Sequence, residues 1–245
     1  MNKVNMSDIP NIIDFLGLDD ISRVLDFLPD NDKIRFLMTC KTSYCYREDI
    51  NYTNGYNYDK IKHLSFYQKF KKVGFQVTVG CTCIPEGVKA LIFENDFNEP
   101  IKFKIPDGIE TIIFGNDFNQ PIEGIFPNSV TRIFFGQKYN QPIKKTDMLN
   151  IKLLKFGVFF NQPIRDSIPE SVTDLIFGWD NNRPLRIEYV QNIKACIPNS
   201  IVNLTFYKEC NKNIKDYIAN NITCLTFRKE YKKDIILWIP KTITY

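Results

Sequence analysis

Hydrophobic positions recur along this chain as two motifs. The first is apolar-x-x-apolar-x-Phe. It reads Val88-x-x-Leu91-x-Phe93, Ile109-x-x-Ile112-x-Phe114, Val130-x-x-Ile133-x-Phe135, Ile151-x-x-Leu154-x-Phe156 and Val172-x-x-Leu175-x-Phe177. Copies at Ile201-x-x-Leu204-x-Phe206 and Ile222-x-x-Leu225-x-Phe227 follow, and Ile61-x-x-Leu64-x-Phe66 precedes them. Apolar residues two apart predict a short strand whose first and third side chains point inward. The second motif reads FNEPI at 97–101, FNQPI at 118–122, YNQPI at 139–143 and FNQPI at 160–164. Weaker copies stand at 181–185, 210–214 and 231–235. The prolines at 100, 121, 142, 163 and 184 keep an interval of 21 residues. A fixed period of this size predicts stacked structural units, and it outranks local propensity.

Each unit follows one plan. A Pro-Glu-Gly or Pro-Asn-Ser turn opens it, with proline presetting φ. The strand comes next, and successive strands are expected side by side, about 4.8 Å apart, in a parallel sheet. A glycine follows at 115, 136, 157 and 178, expected to supply a backbone angle other residues avoid. The Phe-Asn-x-Pro-Ile corner then turns the coil. Asn98, Asn119, Asn140, Asn161, Asn182 and Asn211 fall at one place in each coil. A corner buried inside a coil leaves backbone groups without partners, and an amide side chain serves both kinds. These asparagines are therefore read as a structural ladder; a row of ligand-binding amides is the alternative. Residues 61–83 read as a divergent first rung, because Phe66 and Phe93 are 27 residues apart. Phe177 and Phe206 are 29 apart, and the surplus near 186–193 is expected to leave one face as a loop.

The start of the chain has a different period. Residues 1–10 are polar. Within 11–48, Ile21, Val24, Leu25 and Leu28 fall at helical spacing behind Asp19 and Asp20, which can cap and charge a helix start. Pro29 closes that helix, and a second carries Ile34, Leu37 and Met38. Such a small module cannot bury all of its apolar side chains by itself. Some of Leu16, Leu18, Ile21, Leu25 and Leu28 must meet either a partner or the repeat region. Residues 49–83 join the module to a solenoid over 84–245. The expected fold class is α+β: a small helical module followed by a solenoid, like a leucine-rich repeat, with a parallel sheet along one face.

Composition narrows the function. A net charge of +4 spread over 245 residues does not suggest a nucleic-acid binder. No apolar run is long enough to span a bilayer, and no signal peptide is evident, so an intracellular, cytoplasmic setting is expected. Seven cysteines without a C-x-x-C pair fit free thiols in a reducing compartment. Cys81 and Cys83 are spaced too tightly for the usual zinc site. His63 is the one histidine and no phosphate-binding glycine loop is present, so the chain reads as a non-enzyme with no cofactor and no metal. Binding is better supported. The residue between Leu and Phe in each strand points away from the core, and Ile92, Ile113, Phe134 and Ile176 hold it in four of five rungs, with Lys155 in the other. Such a stripe, with Trp179 beside it, marks a partner-binding face unless something covers it.

The segment FLGLDDISRVLDFLPDNDKIRFLMTCKTSY at 15–44 resembles an F-box. Leu16, Leu18, Asp19, Ile21, Phe27, Leu28, Asp32 and Cys40-Lys41 fill that family's places, although Gly17 and Asp19 stand where it has proline and glutamate. The corner motif resembles the FNIP repeat, a relative of leucine-rich repeats, over 84–245. Together they resemble the F-box and FNIP repeat-containing proteins of giant viruses and social amoebae. That resemblance implies a substrate-recruiting adaptor of an SCF-type ubiquitin ligase. The F-box would bind a Skp1-like protein, and through it a cullin–RING ligase, at Leu16, Leu18, Ile21, Leu25 and Leu28. The solenoid would hold an unknown target protein. The alternative is a scaffold or sequestering protein whose helical segment only caps the coil.

Overall fold

In a computed structural model, residues 18–179, 197–206 and 222–227 are described. The chain divides into two units, Met1–Gly74 and Phe75–Tyr245.

The first unit holds helices α1 (Leu18–Asp26), α2 (Asp30–Leu37), α3 (Lys41–Cys45) and α4 (Tyr58–Ile61), with strand β1 (Tyr52–Asn57). Strand β2 (Phe70–Val77) begins here and runs past its boundary. Ile21 and Leu25, one helical turn apart, are buried, as are Leu37, Ile50, Tyr52, Ile61, Phe70 and Val73. Pro29 sets the entry to α2 with ψ 148°, and Asp30 and Asp32 follow in its first turn. Helix α3 opens on Cys40, whose Sγ accepts from the Ser43 N–H at 3.4 Å. β1 and β2 pair in parallel, Tyr52 opposite Phe70 and Asn57 opposite Gly74.

Two expectations fail in this unit. Residues 50–62 are more than a connection, because they carry β1 and α4. The Leu64-x-Phe66 motif lies in turns and not in a strand. The Asn57 side chain accepts from the Asp59 N–H at 2.8 Å and so starts a helix where the first rung was expected. Phe66 packs within 5.9 Å of the Tyr52 and Phe70 rings. The strand comes later, at β2, with Phe70, Val73 and Val77 buried.

The second unit is a parallel-sheet solenoid. Strands β3 (Ala90–Phe93), β4 (Thr111–Ile113), β5 (Arg132–Phe134), β6 (Leu153–Gly157), β7 (Asp174–Trp179), β8 (Asn203–Phe206) and β9 (Cys224–Phe227) follow one another in sequence order, each pairing with the next. The register is the repeat itself: Leu91, Ile112, Ile133, Leu154, Leu175, Leu204 and Leu225 stand opposite one another. The step from Phe177 to Phe206 keeps that register despite its 29 residues. Residues 186–193 themselves lie outside the described residues.

Two aromatic columns fill the coil. Phe93, Phe114, Phe135, Phe156, Phe177 and Phe206 stack with centroids 4.9–5.9 Å apart. Phe97, Phe118, Tyr139 and Phe160 form the second, at 6.1–6.3 Å. The columns meet within a rung, as at Phe135 and Tyr139, 3.8 Å apart. The spacings are near the strand separation, so the sheet dictates ring packing and the rings reinforce its register. Exposed charges alternate along other columns: Lys89, Glu110 and Arg132 pair in succession, as do Asp117 with Lys138 and Glu123 with Lys144. Each such surface pair contributes little by itself.

The glycine column needs a correction. Gly178 has φ +75°, but Gly115, Gly136 and Gly157 do not have positive φ. Their reason is space. A Cβ on Gly115, Gly136 or Gly157 would overlap the backbone carbonyl of Glu94, Gly115 or Gly136 respectively, in the rung before.

Candidate interaction surfaces

The helices of the first unit leave a group of large apolar side chains in water. Phe27 is 89% exposed and Met38 77%, and Val24, Leu28, Ile34 and Tyr44 are exposed with them. Of the residues expected to meet a partner, Ile21 (3%) and Leu25 (2%) are instead buried. They form the inward stripe of α1 and have no surface to offer a partner without unfolding the helix. Leu28 is exposed. Leu16 lies outside the described residues, as does the side chain of Leu18. Phe27 stands off the spacing of Ile21 and Leu25, while Met38, although spaced with Ile34 and Leu37, lies just past the end of α2 and is exposed.

Beneath α2 is a polar cluster that no sequence pattern announced. Asp30 and Lys33 are wholly buried, 3.4 Å apart. Asp30 accepts from the Asn54 N–H at 2.7 Å, the Tyr56 hydroxyl at 2.9 Å and Thr53 Oγ1 at 3.4 Å. Lys33 donates to the Asn51 carbonyl at 2.7 Å. Burial pushes the Asp30 carboxyl upward, but the donors from Asn54, Thr53, Tyr56 and Lys33 outweigh it and hold the group below its ordinary value. Burial and the nearby Asp30 charge push the Tyr52 phenol up to about 12. The pair occupies the Asn54 N–H of β1 and the Asn51 carbonyl just before it.

On the solenoid, Ile92 (41%) and Ile113 (37%) are exposed, as expected of the outward stripe. Phe134 and Ile176 are half-buried. Lys155 is buried, its ammonium 5.5 Å from the Phe134 ring centroid. The accessible stripe is thus concentrated at β3 and β4 and narrows from β5 on. The side chain of Trp179 lies outside what is described.

The asparagine ladder is present over four coils. The N–H groups of Asn119, Asn140 and Asn161 donate to Oδ1 of Asn98, Asn119 and Asn140 at 2.7–2.9 Å. Gln120, Gln141 and Gln162 add bonds from Nε2 to the backbone and side-chain oxygens of the same three residues. The corner is not buried as expected: Asn98 is exposed and the other three are half-buried. Asn182 and Asn211 lie outside the described residues. A cleft of about 570 Å³ opens at the start of this ladder, between Gly80–Thr82 and Glu99–Phe103.

His63 is exposed in the turn after α4. Among the described residues there is no group of three His, Cys, Asp or Glu placed to hold a metal ion. Among them also, no helix is long and apolar enough to cross a membrane.

Comparison with known proteins gives the coils a name. The family model described as FNIP Repeat matches residues 81–117, 97–138, 118–149, 139–180 and 160–188. Residues 81–188 are thus similar to FNIP repeats. Two relatives come from Acanthamoeba polyphaga mimivirus. Uncharacterized protein L167 is 43% identical over 75 residues, which is 31% of this chain and 24% of that protein. A protein named as F-box and FNIP repeat-containing protein R286 is 38% identical over 89 residues, 30% of each chain. The chain therefore spans less than a third of the length of these relatives. The crystal structure of CroV588, described as a circular LRR protein, aligns at 26% identity with a TM-score of 0.48, covering 72% of this chain and 30% of that one.

Proposed function

We propose that this protein is a substrate-recruiting adaptor of an SCF-type ubiquitin ligase. In this reading the helices of the first unit dock on a Skp1-like protein, and the sheet face of the FNIP solenoid holds a target protein. The chain positions the target and does no chemistry itself. The observation that carries the reading is Phe27, a large ring almost wholly in water, with Met38, Val24, Ile34 and Leu28 also exposed on α1, α2 and the residues just after them. Apolar surface of this kind on a small helical module marks a protein interface. The F-box-like segment at 15–44 and the name of R286 support the choice of Skp1. Ile92 and Ile113 form the accessible part of the target face.

The test is a pull-down with a Skp1-like protein using the full chain. Wild type should bind, while Phe27→Asp combined with Met38→Asp should not, with the far-UV spectrum unchanged because both side chains already face water. Buried Leu25 is unsuited to this test. Failure of a folded wild-type chain to bind overturns the adaptor reading and favours a scaffold whose helices serve the chain alone.

A further inference from the structure

The coil before the first FNIP corner is shorter than those after it. The Glu94 N–H donates to the Val77 carbonyl, just as the Asp117 N–H donates to Asn95, so Val77 occupies the place of Phe93 one rung earlier. From Val77 to Val88, the next inward position, is 11 residues; from Phe93 to Ile109, its counterpart, is 16. The missing residues belong to the corner, where Cys81-Thr82-Cys83 stands in place of Phe-Asn-x. The cleft of about 570 Å³ lies there, with Gly80, Cys81 and Thr82 on one side and Glu99, Pro100 and Phe103 on the other.

The hydrogen-bonding ladder ends at this cleft. Three later asparagine N–H groups donate to the amide oxygen one coil back. The Asn98 N–H, their counterpart, meets no such oxygen among the described residues. Glutamine follows the asparagine in the next three corners, but here Glu99 does. A glutamine donates backward; a carboxylate only accepts. The ladder therefore begins with an N–H donor beside an acidic acceptor, and both residues are exposed. One primary amide satisfies both, its oxygen taking the Asn98 N–H and its NH₂ group donating to Glu99. Pro100 and the half-buried Phe103 supply an apolar wall for the residue next to it.

We propose that this cleft docks a turn of another protein that presents an asparagine or glutamine amide beside an apolar side chain, reproducing the corner the short coil lacks. A carboxylate in the amide's place meets the Glu99 charge and cannot donate to it, although Lys102 also lines the cleft. The proposal goes beyond the adaptor reading and does not depend on Skp1.

The test uses the full chain and dye-labelled peptides followed by fluorescence anisotropy. A cyclic peptide carrying Phe-Asn-Gln-Pro-Ile should bind, and its Phe-Asp-Glu-Pro-Ile counterpart should bind at least about ten-fold more weakly. Glu99→Lys should reverse that preference. Thr82→Trp, which fills the cleft from an exposed position, should weaken the amide peptide by a similar factor. Far-UV spectra check that both variants remain folded. No binding of the amide peptide at millimolar concentration overturns the proposal, and so does equal binding of the two peptides. A preference unchanged by Glu99→Lys overturns it as well.

Discussion

The two units handle buried polar groups in opposite ways. The first concentrates its buried charges in one place: Asp30 and Lys33, with four bonds to Asn51, Thr53, Asn54 and Tyr56. The second spreads its polar groups, one asparagine oxygen per coil, exposed at Asn98 and half-buried at Asn119 and Asn140. A single cluster has no redundancy, whereas a ladder shares its burden among neighbours that touch only the next coil. The lesson is that identical loss should be global for the helical unit and local for the solenoid.

The sharpest break is at Asp30. Asp30→Ala leaves the buried Lys33 ammonium without its counter-charge and the Asn54 N–H without its acceptor. The expected loss is about 3–5 kcal/mol, read as collapse of amide exchange protection throughout α2 and β1 while β4–β7 keep theirs. Acid gives the same readout without mutation. The folded Asp30 carboxyl titrates below its ordinary value, so its stabilisation is complete above about pH 4 and is lost as pH falls through the folded value. Protection of β1 should therefore fall on acidification below about pH 4, with no matching step at the ladder. Equal loss of protection in both units would end the contrast.

Gly136→Ala tests the solenoid where two of its coils approach closely. The new methyl meets the Gly115 backbone carbonyl, which cannot turn aside as a flexible side chain would. The cost is expected at about 1–3 kcal/mol, the range for overpacking, and its exchange signature should centre on β4 and β5. Gly124→Ala is the control, since its added methyl meets nothing within 4 Å and only its φ of +68° resists. The control should cost less, about 1 kcal/mol.

Much of the solenoid was legible because its signal is repeated. Seven strands and their register follow from the Leu-x-Phe motif, and the asparagines at 98, 119, 140 and 161 bond as their column requires. What failed was interpretation of single positions. A glycine column looks the same in sequence whether it answers to φ or to crowding, and only the distance to the neighbouring carbonyl separates the two. Leu64-x-Phe66 matched the strand motif, yet the Asn57 cap and Phe66's aromatic neighbours won locally. In and just after α1 the helical stripe takes in Ile21 and Leu25, which are buried, but also Val24 and Leu28, which are exposed, so spacing alone did not separate core from partner surface. The pairing of Asp30 with β1 spans more than 20 residues of sequence and leaves no periodic trace. The residues from Ile92 to Ile176 do stand in one column, but Lys155 within it is buried, its ammonium 5.5 Å from the Phe134 ring of the same column.

The ladder itself separates oxygen from amide nitrogen. Asn119 Oδ1 receives both the Asn140 N–H and the Gln141 side chain, at 2.9 and 3.2 Å. Asn119→Ala removes that acceptor from a half-buried site and should cost about 1–2 kcal/mol. Asn119→Asp keeps an oxygen in place and should cost less, about 0.5 kcal/mol. Chemical denaturation of both variants orders them. If aspartate proves as damaging as alanine, the amide's shape and not its oxygen holds the corner.

Tyr139 carries the smallest effect and the opposite sign. It stands where Phe97, Phe118 and Phe160 stand in the neighbouring coils, stacked between the latter two at 6.1 and 6.2 Å. Its hydroxyl is buried and finds no hydrogen-bond partner among the described residues. Burial pushes the phenol's titration well above its ordinary range, so it stays protonated and the cost is that of a neutral donor stranded away from water. Removing the oxygen leaves the ring in its column and deletes only the orphan. Tyr139→Phe should therefore stabilise the solenoid by about 1 kcal/mol, measured by denaturation of the full chain. A destabilised variant would mean that this coil, unlike its neighbours, uses the hydroxyl, and the equivalence of the corners would fail at that rung.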